Sequence, residues 1–86
     1  MALVWKDIAR AENGKAFIRV LYETTGQNVI SRVEWQNDTA APRRVELIRT
    51  DTDQVVFSTM LAPGPEVGFI DIPSARFRLD QYRATI

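Results

Sequence analysis

The chain has no cysteine and no histidine. Without them, Ser-His-Asp and Cys-His nucleophilic catalysis lose their usual players, and structural zinc sites lose their ligands. No disulfide can staple the fold, so cysteine usage says nothing about redox compartment. Glycine and proline number four each, and no Gly-rich phosphate loop is present. The segment Ala62-Pro63-Gly64-Pro65 is too rigid for that role and lacks the following helix and lysine. No apolar run is long enough to cross a bilayer as a helix. The opening MALVWKDIAR lacks the basic start and long apolar block of a secretory signal. Charge of one sign is also missing. Eleven basic and eleven acidic residues cancel, so no strong field gathers nucleic acid or an anionic membrane.

What is present suits one domain spanning residues 1–86, since 86 residues supply one core and not two. Only Lys6 and Lys15 are lysine, so nine of the eleven basic residues are arginine. Arginine pairs bidentately and stacks on aromatics, which favours it at interfaces. A GC-rich genome gives the same bias.

The most organised stretch is RVELIRTDTDQVVFSTML, Arg44 to Leu61. It reads as two strands, 44–50 and 55–61, around a polar turn Asp51-Thr52-Asp53-Gln54. Ile48 and Arg49 reverse the alternation of the first arm. Both arms carry apolar residues on both sides, which predicts a hairpin inside a sandwich or against a neighbouring chain. Upstream, Asn13-Gly14 suits the central positions of a type I′ turn and predicts a first hairpin. A short helix over residues 6–12 is the competing reading. After the turn at residues 24–28, Val29, Ser31, Val33 and Trp35 alternate with Ile30, Arg32, Glu34 and Gln36, placing Trp35 inside. A strand over 66–72 and a last strand over 76–86 follow, the latter with a phase switch near Asp80-Gln81 that predicts a bulge or kink. The sum is an all-β chain, a small antiparallel β-sandwich of about seven strands.

These features resemble the immunoglobulin-like or fibronectin-type-III-like sandwich modules of bacterial and phage surface proteins. They are an inner Trp35 on the third strand, the turn Asp51–Gln54, the Ala62-Pro63-Gly64 corner and the late aromatic strand FRLDQYR. No cysteine pair flanks Trp35, which departs from antibody-type domains. The resemblance implies an adhesive, spacing or decorating part and no enzyme.

Several constellations offer chemistry, each beside a plainer reading. Asp51 and Asp53 could offer oxygens to Ca²⁺, but the spacing of a calcium loop is missing and Asp is a common turn residue. No metal or cofactor is expected. A glycosidase-type carboxylate pair needs a cleft that so small a domain rarely builds. Arg76, Arg78 and Arg83 interleave with Phe77 and Tyr82, as in single-strand nucleic-acid sites, yet inside–outside alternation explains the pattern. Trp5, Trp35 and Tyr22 could form a sugar platform, although Trp35 fits the core better. Asn37-Asp38-Thr39 matches the glycosylation sequon and reads as a loop.

The function expected is a non-catalytic structural or interaction module that docks on a larger assembly or on copies of itself. A phage virion part, capsid-decorating or tail, is the specific form. The candidate contact residues are Trp5, Arg43, Arg44, Arg76, Arg78 and Arg83, with edge-strand pairing or face burial as the mechanism. The partner expected is protein, with no nucleic acid and no membrane insertion. A carbohydrate-binding module using Trp5 and Tyr22, or a small regulatory binder of a host protein, is the alternative. Localisation stays open.

Overall fold

A computed structural model describes residues 2–73 and 77–86. They form seven strands: β1 (Leu3–Ala11), β2 (Ala16–Glu23), β3 (Ile30–Asn37), β4 (Arg43–Arg49), β5 (Val55–Leu61), β6 (Gly64–Asp71) and β7 (Tyr82–Thr85). All pairings are antiparallel. One sheet has the order β1-β2-β3-β6 and the other β5-β4-β7. The all-β, seven-strand, two-sheet architecture is thus the one expected from the sequence. Immunoglobulin constant domains put their second and third strands in opposite sheets. Here β1, β2 and β3 run as a meander within one sheet.

Turn chemistry explains the first hairpin. Asn13 and Gly14 adopt φ of 57° and 86°, the left-handed pair that a type I′ turn demands. Lys15 N–H closes the turn on the Glu12 carbonyl at 3.1 Å. Residues 6–11 are strand, and the helical alternative is limited to one 3-10 turn at Glu12–Gly14. The Asp51–Gln54 turn also forms where expected. There Asp53 takes φ of 56°, and its N–H bonds the Arg49 carbonyl at 2.9 Å.

Two expectations need correction. The alternation along the sequence puts Ile30 in the polar phase of its strand, yet it is buried. The pairing of β2 with β3 slips between Leu21 and Tyr22, so Ser31 is an extra residue and Ile30 joins Val33 and Trp35 on the inner face. The last strand begins only at Tyr82. The phase switch near Asp80-Gln81 is realised as a 3-10 turn, Leu79–Gln81, ahead of a four-residue strand.

The core is small. Among the described residues its buried apolar side chains are Ala16, Ile18, Val20 and Ile30 from the larger sheet, with Val45 and Ile48 from the smaller. Val45 and Ile48 lie an odd number of positions apart. The phase reversal read at Ile48 coincides with a register shift between Leu47 and Ile48, where β5 carries Val56 as the extra residue. Val20, 1% exposed, lies mid-row between Lys6 and Val33. Val20→Ala should cost about 2 kcal/mol, a large share of the stability of so small a domain, and urea unfolding measures it directly.

One polar group ties the sheets together. Asn37, 2% exposed, ends β3. Its Nδ2 donates to the Leu61 carbonyl at the end of β5 (2.9 Å) and to the Ala41 carbonyl (3.0 Å). Its Oδ1 accepts from the Thr39 hydroxyl. The sequon residues therefore serve each other and the fold. In the folded chain the Asn37 amide is buried and committed.

Candidate functional site

The pairing registers lay out the outer face of the four-stranded sheet as cross-strand rows. One row reads Trp5, Leu21, Arg32, Asp71; the next reads Asp7, Arg19, Glu34, Phe69. Phe17 lies beside Arg10 and Gln36 in a third. Glu34, only 8% exposed, is the anchor. Arg19 donates from Nε (2.8 Å) and Nη2 to its Oε1, and Arg32 Nη1 lies 3.5 Å from its Oε2. Arg32 also grips Asp71 with two parallel bonds, 2.7 and 3.2 Å. Held this way, the two guanidinium groups lie on aromatic rings. Arg19 is 4.8 Å from the Trp5 ring centre and 5.2 Å from Phe17, and Arg32 is 4.3 Å from Phe69. Such placement of a cation over a ring adds attraction beyond the ion pairs.

The Arg32 guanidinium holds the Asp71 carboxyl below the usual carboxylate range, chiefly through its hydrogen bonds. Arg49 does the same for Asp51. A carboxyl with a depressed folded-state pKa contributes stability above its unfolded pKa of about 4 and loses it as pH falls through the folded value. Asp71→Asn should therefore lower the melting temperature slightly at neutral pH, by the small amount an exposed ion pair contributes, and the two curves should converge below about pH 4, which flattens the acid limb of the variant.

A second surface lies along β5 and β6, the outermost strands of their sheets on this side. Val55, Val56, Phe57 and Met60 on β5 are each 44–56% exposed, as are Phe69 and Ile70 on β6 at 55–56%. The central hairpin is therefore not interior as a whole. Its first arm is central to the smaller sheet, while its second arm is that sheet's edge. Beside the β5–β6 corner lies a groove of about 280 Å³ lined by Trp35, Leu61, Pro63, Gly64, Val67 and Gly68. Trp35 is on the inner face as expected, and its indole lies across Gly68.

The expected contact residues do not converge. Trp5 sits on the outer face of the larger sheet under Arg19. Arg43 and Arg44 open β4, where Arg43 lies 3.6 Å from Glu12 and Arg44 donates to Ser58 at 3.1 Å. Arg83, on β7, pairs with Asp53 at 3.2 Å, and Arg78 lies 3.4 Å from Gln27. Arg76 lies outside the described residues. Phe77 and Tyr82 pack on each other, ring centres 5.6 Å apart, across the 3-10 turn. Arg78 and Arg83 thus flank that turn and do not form a continuous stripe. Trp5 pairs with Leu21 while Tyr22 pairs with Val4, so Trp5 and Tyr22 face opposite sides of the sheet and form no shared platform. Asp51 and Asp53 are engaged by Arg49 and Arg83 in the turn.

Reading the sequence missed Arg19, Arg32, Glu34 and Phe69. Their signal was the period-two pattern of β2 and β3, but matching the rows required the slip at Ser31. No family model, no curated protein and no solved structure matches the chain.

Proposed function

We propose that this chain is a non-catalytic structural or interaction module, a small β domain that docks on a larger assembly or on copies of itself. One observation carries the reading. Among the described residues, ten large apolar side chains are exposed and six apolar residues are buried, an inversion of what a self-contained core needs. The exposed set falls on three strands, β1, β5 and β6. The accessible surface of 5556 Å² compares with about 5,200 Å² for a compact chain of this mass. The Cα radius of gyration, 12.9 Å, compares with about 12 Å. Aromatic residues with stacked arginines on the outer face of the larger sheet suit protein contact in the same way. The lack of histidine and cysteine leaves few groups for acid–base or nucleophilic work near neutral pH. As a setting we propose a virion, with the chain as a capsid-decorating or tail part, which rests on the resemblance to sandwich modules of phage surface proteins.

The test uses Phe57→Glu and Met60→Glu, at positions 56% and 52% exposed. Tagged wild-type chain recovered from its source cells should elute in an assembly far larger than 9.8 kDa. It should also be found in gradient-purified particles. Each variant should elute alone with a melting temperature close to wild type. Wild-type chain eluting at its own mass from those cells contradicts the proposal.

A further inference from the structure

The four strands that border the two sheets are β1, β6, β5 and β7. Exposed edges invite pairing with other chains, and proteins blunt them with charge, proline, bulges or brevity. Three of these edges are blunted so. β1 carries Lys6, Asp7 and Arg10; β6 carries Pro65, Glu66 and Asp71; β7 has four residues including Arg83. β5, Val-Val-Phe-Ser-Thr-Met-Leu, carries no charge, no proline and no glycine. Its one blunting device is the bulge at Val56, which leaves Phe57–Leu61 regular. A strand of high β-propensity and no charge left open on an edge is an aggregation hazard unless something covers it.

We propose that β5 pairs antiparallel with β5 of a second copy of this chain, about a two-fold axis through Thr59, joining two three-stranded sheets into one of six strands. The proposal rests on the interaction-module reading and names its partner. Charge selects the partner and the register. A chargeless strand meets itself without like-charge repulsion, and the chain's formal net charge is zero. Within the chain, Glu46 lies beside Ser58 and Arg44 beside Met60. With the axis at Thr59, Ser58 faces Met60 of the second copy. Each outer row then runs from Glu46 of one copy to Arg44 of the other, with opposite charges at its ends. Arg44 already extends over β5, its Nη1 3.1 Å from the Ser58 hydroxyl. Moving the axis one residue, to Ser58, puts Glu46 at both ends of the row and loses this match. On the inner side the Thr59 axis pairs Phe57 with Leu61, an aromatic–aliphatic contact of the kind that stabilises sheets.

The chain's lack of cysteine makes the register directly measurable. Directly opposed residues of an antiparallel pair have Cα atoms about 4.5–5.5 Å apart, inside the disulfide range. Thr59→Cys should therefore crosslink to a dimer under mild oxidation, about tenfold or more faster than Ser58→Cys, whose two copies would lie roughly 8 Å apart. Double Ser58→Cys, Met60→Cys chains should crosslink as readily as Thr59→Cys. Unmodified chain should sediment as a concentration-dependent dimer, which guards against a variant that misfolds. Faster crosslinking at residue 58 than at 59 overturns the register. A monomer at hundreds of micromolar, with no crosslinking at either position, overturns the self-pairing. In that event recovery of the chain in a large assembly from its source cells still distinguishes docking on another protein from no docking at all.

Discussion

Replacing Asn37 by alanine lowers the melting temperature by about 10–20 °C, corresponding to roughly 2–3 kcal/mol in a domain of this size. The reason is local and specific. The Asn37 amide is the donor for two carbonyls, Leu61 at the end of the smaller sheet's edge strand and Ala41 in the β3–β4 connection. Removing it takes the side-chain donor from the Leu61 carbonyl, leaves Ala41 with the Thr39 hydroxyl alone, and opens a small void at a position that water barely reaches. Asn37→Asp should be worse than alanine at neutral pH, although it is nearly isosteric. It would turn a carboxylate oxygen toward two carbonyl oxygens. Thermal melts of the two variants check the order. Equal or negligible losses for both would show that the sheets are held together without this amide.

The second large effect is at Gly68. In the β3–β6 pairing it lies opposite Trp35, and the indole crosses the space a side chain would fill. An added methyl would overlap Nε1 and lie 2.6 Å from Cε2. Gly68→Val should cost about 3 kcal/mol or more despite valine's preference for strands, because the ring has Ile18 on its other flank. Trp35 would have to leave the inner face. In a Trp5→Phe background, where Trp35 is the remaining indole, the emission should shift to the red. An unshifted spectrum with an unchanged urea midpoint would mean that the ring is not seated across Gly68.

These two sites show what the sequence disclosed and what it hid. The alternation of Val33 and Trp35 placed the indole on the inner face, and Asn13-Gly14 announced its turn, because both signals are local: period two and left-handed φ. The role of Gly68 was not legible, since it depends on β6 pairing with β3 and not with β5, its neighbour in sequence. Asn37 looked like loop, because its partners lie 4 and 24 residues away. The cation–aromatic ladder was hidden by one residue. Extending the Tyr22–Ile30 pairing inward without a slip sets Arg19 against Val33. The extra residue at Ser31, whose hydroxyl donates to the Leu21 carbonyl at 3.2 Å, brings Arg19 to Glu34 instead. Arginine count suggested an interface, but arginines chosen by position along the chain proved scattered. Those on the outer face of the larger sheet are gathered by register, which the chain order of residues does not show.

The same reasoning applies to β5. Its apolar character on both faces predicts a place inside a sandwich or against a neighbouring chain, and an edge strand with a missing neighbour gives that pattern. The most direct measurement is hydrogen–deuterium exchange over residues 55–61, in the assembly recovered from source cells and in the isolated chain at high dilution. The account predicts that in the assembly the β5 amides exchange as slowly as those of β4, and that on dilution those facing away from β4 become fast. Amides of β5 that exchange at the rate of an open edge in both samples would contradict it.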